Sequence, residues 1–98
     1  MSNEKKDYDV FADKGAVDVL LLVLKNKEIA RSDVKEVPGN YYRLRDVVLA
    51  ELVENKLLEL TIIEKPYLTY KYTLTKKGKN VATKLAEIKE IVNSGDRS

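Results

Sequence analysis

The titratable side chains of this 98-residue chain are 18 Lys+Arg, 16 Asp+Glu and 6 Tyr; it has no His and no Cys. Without Cys there is no thiolate nucleophile, no disulfide and no zinc–thiolate site. Without His the usual general base and the commonest transition-metal ligand are missing. A Ser-His-Asp or Cys-His arrangement cannot be built. No glycine-rich phosphate loop and no paired-carboxylate motif is present. The sequence therefore predicts no catalytic residue, no metal ligand and no cofactor. What these residue types can do is recognise a partner by charge and hydrogen bonding.

The charge is unevenly spread. The formal net charge is +2. Residues 1–13 carry two Lys and four acids, a net −2, whereas residues 57–79 carry five Lys and two acids, a net +3. Residues 14–30 add +1, and residues 31–56 and 80–98 are neutral. A near-neutral total thus conceals a local basic segment suited to a polyanion, although a solvated lysine face accounts for it equally well.

Small elements must position these groups. The arm 1–12 is polar apart from Tyr8, Val10 and Phe11, which favour docking on something. A helix is expected from about Asp13, as N-cap, to Asn26, with Gly15 weakening its first turn. From Ala16 to Leu24 only Asp18 is polar, so this helix needs cover on more than one side. Its run Val19 to Leu24 is far short of the roughly 20 residues that span a bilayer. No signal peptide is read at the N-terminus, and a cytoplasmic protein with no membrane partner is expected. High Lys and Glu content with a single Met fits a thermophilic source.

Ile29-Ala30 is expected as a short strand, and Ser32 as the N-cap of a short helix to Val37. Pro38-Gly39 stops that helix. Asn40 caps the next, Tyr41 to about Asn55, whose apolar face is Leu44, Val48, Leu49, Leu52 and Val53. Leu58, Leu60 and Ile62, then Leu68, Tyr70, Tyr72 and Leu74, alternate with polar or outward residues around the turn Glu64–Tyr67. That is a β-hairpin with one buried face. Thr75 caps a last helix to about Asn93, in which Gly78, Val81, Leu85, Ile88 and Val92 form an a/d seam.

Two helices joined across Pro38-Gly39-Asn40 and followed by a hairpin are a helix-turn-helix with a wing. Here the chain resembles the winged helix-turn-helix transcription regulators of the MarR, PadR and HxlR kind, especially small archaeal or archaeal-virus members. Leu52-Val53-Glu54-Asn55-Lys56-Leu57-Leu58-Glu59 resembles the family's recognition-helix exit, with Lys56 where Gly is usual. Tyr72-Thr73-Leu74-Thr75-Lys76-Lys77-Gly78 resembles its Y-x-L-T-x-x-G signature. The resemblance covers about residues 15–93. It implies an α+β, mainly α fold: an arm 1–12, a winged helix-turn-helix 13–75 and a C-terminal dimerisation helix 76–98.

The resemblance further implies a homodimeric regulator of double-stranded DNA. Asn40, Tyr41, Tyr42 and Arg43 would then begin the major-groove helix, with Arg43 the leading base reader and Val47 beside it. An i,i+3 ion pair of Arg43 with Asp46 is the alternative. Arg45 falls near the apolar face of the helical wheel: either the first turn projects beyond the core, or Arg45 lays its stem on the core and reaches out to phosphate. Arg31 and Ser32 are further phosphate candidates, as are Lys65, Tyr67 and Lys71 of the wing. Tyr70 and Tyr72 read as hairpin core. Phe11, Val19, Leu22, Val23, Val81, Leu85, Ile88 and Val92 are the expected dimer interface, unless the last helix packs back on its own domain. Asp46, Glu51 and Glu54 oppose DNA and favour a rival reading as a protein-binding winged helix. The operator and any effector are unspecified.

Overall fold

The apolar periods of the sequence and its few Gly and Pro residues account for the order of elements. The structure is a computed structural model and describes residues 10–13 and 15–95. Tyr8 and the rest of the arm before Val10 lie outside the described residues, as do Lys14 and residues 96–98. A short 3-10 turn, Val10–Ala12, leads into helix α1, Ala16–Asn26. Strand β1 (Glu28–Ala30) and a 3-10 helix (Arg31–Glu36) follow. Helix α2 spans residues 41–54, in three stretches: Tyr41–Arg43, a π-helical turn Leu44–Val48, and Leu49–Glu54. Strands β2 (Leu58–Ile63) and β3 (Thr69–Leu74) form the hairpin, and α3 (Lys76–Gly95) closes the fold.

The sheet is antiparallel with order β1-β3-β2. Its register pairs Ile29 with Tyr72 and Tyr72 with Leu60, so alternate side chains line up across three strands. Leu20, Ile29, Leu44, Leu49, Leu52 and Leu58 are fully buried and bring every layer into one core. Val10 also enters it, so the end of the arm does dock.

Three local expectations are corrected. Helix α1 starts at Ala16 rather than Asp13, because Gly15 adopts φ +94° and turns the chain into the helix. A left-handed backbone suits Gly, and a side chain there would collide with the Leu44 side chain. Asp13 contributes its carbonyl to Ala16 N–H instead of capping with its carboxylate. Ser32 is exposed and is not the N-cap; the Asp33 carboxylate accepts from the Ala30 N–H (2.8 Å) at the start of the 3-10 helix. The hairpin connection is residues 64–68, one longer than expected, so Leu68 lies outside the strand and is exposed. Asn40 does cap α2, accepting from the Arg43 N–H at 3.0 Å.

The junction after α2 is tightly built. Lys56 takes φ +66°, the left-handed conformation that Gly would adopt without cost. Leu57 then turns its carbonyl toward the start of α3. That carbonyl accepts from the Thr75 N–H (3.1 Å), while the Thr75 hydroxyl donates to the Lys56 carbonyl (2.6 Å) and accepts from the Gly78 N–H (2.8 Å). A Cβ built on Gly78 would lie 1.9 Å from the Leu57 oxygen. Gly78 is therefore required by close backbone approach, not by helix seam packing.

Two substitutions test this junction in urea unfolding. Gly78→Ala is expected to destabilise by at least about 2 kcal/mol, because backbone must move to admit the methyl group. Lys56→Gly is expected to stabilise by about 0.5–1 kcal/mol, the left-handed strain relieved less the added unfolded-state entropy. A neutral Gly78→Ala would refute the contact.

Candidate functional site

Helix α2 and the hairpin enclose a groove. Its first part, about 340 Å³, is bounded by Arg31, Ser32, Tyr41, Arg45, Leu68 and Tyr70. An adjoining part, about 320 Å³, adds Asp46, Ala50, Val53, Leu60 and Tyr72. Arg31, Arg45 and Tyr70 border both. The groove thus lies between the exposed face of α2 and the inner face of the wing.

Its charged groups are held in place. The Arg45 guanidinium donates from Nε to Asp46 Oδ1 (2.6 Å) and from Nη2 to Asp46 Oδ2 (2.8 Å). It also lies 5.5 Å from the Tyr41 ring centre and 5.2 Å from that of Tyr42, the two rings meeting edge to face at 5.2 Å. The bidentate bond raises the Arg45 pKa above its ordinary value, and it holds the Asp46 carboxyl below the usual carboxylate range. On the opposite wall Arg31 sits 4.3 Å over the Tyr70 ring. Burial pushes the Tyr72 phenol up, with nearby Arg31 opposing that shift.

The expected site residues separate into groups. Arg31, Ser32, Tyr41, Arg45 and Tyr70 come together in the groove. Arg45 does not lie on the core. The π-turn closes Leu49 N–H onto the Leu44 carbonyl, five residues back, and so breaks the regular spacing on which the helical wheel relies. Arg43 does not pair with Asp46: its Nη2 donates to Asp13 Oδ1, beside the start of α1, while Asp46 pairs with Arg45. Asn40 uses its side-chain oxygen on the cap. Val47 is half-buried, and Tyr42 is exposed.

Lys65 and Tyr67 lie in the exposed hairpin connection. Lys71 lies on the other strand face from Tyr70 and Tyr72, where it donates to Glu28 Oε2 across the sheet (3.1 Å). Tyr70 is half-buried beneath Arg31 rather than sealed in the core, a role that alternation alone does not reveal. Asp46, expected as an alternative partner of Arg43 and as an acid opposing DNA, pairs instead with its neighbour Arg45.

The expected interface residues also divide. Val19 and Val23 are fully buried within the chain, covered by its own core and by α3, so they offer nothing to a partner. Leu22, Val81 and Leu85 are partly covered. Phe11, Ile88 and Val92 remain exposed, joined by Ile91. The first half of α3 packs back on α1, with Ala82 buried, and Lys89 approaches Asp18 at 3.8 Å.

No protein-family model matches the chain, and no curated protein matches its sequence. Solved structures do match in shape. A transcriptional regulator homologue from Pyrococcus horikoshii OT3 is 14% identical, with a TM-score of 0.71 over 97% of both chains. YodB of B. subtilis, in its reduced form a transcriptional regulator structure, is 17% identical, with a TM-score of 0.68 over 96% of this chain and 92% of its own. The adhesin competence repressor AdcR of Streptococcus pyogenes is 20% identical, with a TM-score of 0.67 over 87% of this chain and 63% of its own. The sequence motifs and these likenesses agree on the fold.

The groove makes one pH prediction. Tyr72 holds its proton more tightly folded than unfolded, so its contribution to stability is complete below about pH 10 and declines as pH rises through the higher folded value. Ultraviolet titration of the phenolates should show a late phase that Tyr72→Phe removes. A Tyr72→Phe curve that keeps the phase would refute the assignment.

Proposed function

We propose that this winged helix-turn-helix chain is a sequence-specific, double-stranded DNA-binding transcription regulator acting as a homodimer. The observation that carries the reading is the groove itself: two arginines, Arg31 and Arg45, mounted on aromatic rings between a capped helix and a wing. The shape neighbours described as transcriptional regulators support it. Helix α2 enters the major groove from its Asn40-capped end. Arg31 and Ser32 hold phosphate, and Lys65 at the wing tip rides on the backbone or in the minor groove. Lys71 and Arg43, each tied to a carboxylate, contribute less.

Dimer formation follows from surplus apolar surface. Helix α3 is 20 residues, roughly 30 Å long, and only its first half is covered. Ile88, Ile91 and Val92 are 55%, 67% and 65% exposed, more apolar surface in one stripe than a lone helix end usually leaves in water. A two-fold pairing there buries the stripe twice and sets two recognition helices on half-sites about one DNA turn apart.

A second reading, a protein-binding winged helix, is favoured by a specific observation. Both arginines at the start of α2 are neutralised from within the chain, and Ile62, Ile63, Tyr67 and Leu68 leave the wing tip apolar.

A salt series on random duplex DNA separates the two. The log of the binding constant should fall linearly with log salt, at a slope of about 0.9 per phosphate contact. Lys65→Ala should lower that slope by about one and weaken all sequences alike. No binding at low salt would favour the protein-binding reading. Sedimentation at micromolar concentration should give a dimer, and Ile91→Lys should give a monomer; a wild-type monomer would refute the dimer.

A further inference from the structure

One arginine in the groove has one edge of its guanidinium paired within the chain. A guanidinium carries five N–H donors in a planar fork. Arg45 gives two of them, on Nε and Nη2, to the two oxygens of Asp46. Of the remaining three, one on Nη1 and one on Nη2 form the end of the fork, the edge that matches guanine O6 and N7. Tyr41 and Tyr42 back the guanidinium at 5.5 and 5.2 Å, so little rotamer freedom is left to lose on binding. Asp46, Tyr41 and Tyr42 thus do for Arg45 what a rigid scaffold does for a designed contact.

We infer that Arg45, braced by Asp46 against Tyr41 and Tyr42, reads guanine in the major groove at one position of each half-site. The inference rests on the DNA-binding reading above and replaces Arg43 as the base reader. Arg43 is turned toward Asp13 at the start of α1. Arg45 is near the N-terminal end of α2, borders both parts of the groove, and has a side chain 30% exposed. Net charge decides between base and phosphate. The Arg45–Asp46 pair sums to zero, so phosphate attracts it weakly, and the carboxylate beside the guanidinium repels phosphate oxygens. A base edge asks for aligned donors rather than net charge, and a braced fork supplies them. Asp46 stays ionised at working pH because Arg45 holds its carboxyl below the ordinary range, so the brace persists there.

The test compares the full chain with Arg45→Lys and Asp46→Asn, first by selection from random duplex DNA and then by titration of the selected site. Both positions are at the surface, and circular dichroism confirms that each variant is folded. For wild type, one G·C pair per half-site should be required, and replacing it should weaken binding on the order of 5- to 150-fold, the range of one bidentate pair. Arg45→Lys keeps the charge and loses the fork. It should reduce that discrimination to under about threefold, with a larger loss on the selected site than on random duplex. Asp46→Asn removes the brace with Arg45 intact. It should strengthen binding to random duplex, steepen the salt slope by about one, and weaken the guanine preference.

Equal loss on every sequence with Arg45→Lys would make Arg45 a phosphate contact and overturn the inference. So would a guanine preference that survives both substitutions. Wild-type binding with no base preference overturns the inference and leaves DNA binding standing. Wild-type failure to bind any duplex at low salt overturns the DNA-binding reading, and this inference with it.

Discussion

The contact on which the other parts depend is the meeting of the Leu57 carbonyl with Gly78. One peptide group follows the end of α2, begins the first wing strand and receives the last helix. Thr75 N–H satisfies that carbonyl, and the Thr75 hydroxyl bridges the Lys56 carbonyl and the Gly78 N–H. No side chain fits between, because a Cβ on Gly78 would stand 1.9 Å from the oxygen. The hairpin ends are therefore clamped at the helix exit, which sets the angle between wing and α2 and hence the width of the groove. Lys56 accepts a left-handed backbone for the same reason: the chain must reverse there whatever residue occupies the position.

Within that frame the electrostatics are local. The chain as a whole carries only +2. At the start of α2 the two arginines are each matched by a carboxylate, Arg43 by Asp13 and Arg45 by Asp46. The Arg45–Asp46 pair is open to solvent and contributes little to stability, while Asp13 in the other pair is more covered. Their consequence is geometric. Arg43 ties α2 to the residues before α1, and Arg45 is fixed in the groove that Arg31 also borders. The groove is consequently a place of ordered hydrogen-bond donors more than of high positive potential. Among the described residues, cations without a carboxylate partner include Arg31, Lys65 of the hairpin connection, and Lys76, Lys77 and Lys79 at the start of α3.

Helix α3 has two halves with different surroundings. Its first half covers α1, which explains how an all-round apolar helix such as Val19–Leu24 is buried in so small a chain. Its second half reaches α1 through Lys89 beside Asp18 and leaves Ile88, Ile91 and Val92 exposed to solvent. One seam thus packs against the intrachain core at Val81 and Leu85 and is open surface at Ile88 and Val92, although the seam residues share one helical spacing.

The sequence by itself determined the order of elements, the hairpin and its register face, the Asn40 cap and the fold class. Each of these depends on local period or on residues a few positions apart, and such constraints are written along the chain. Lys56 and Gly78 were visible as a motif, but their meaning was not, since the contact joins positions over 20 residues apart. Likewise the partner of Arg43 lies 30 residues away at Asp13, and no local pattern names it. The direction of Arg45 was decided by a π-turn that a uniform helical wheel cannot contain. The assignment of Val19 and Val23 to the core was decided by which helix reaches them first. Tertiary structure settled these points because they depend on distance in space and competition between partners, and a linear sequence of side chains carries neither.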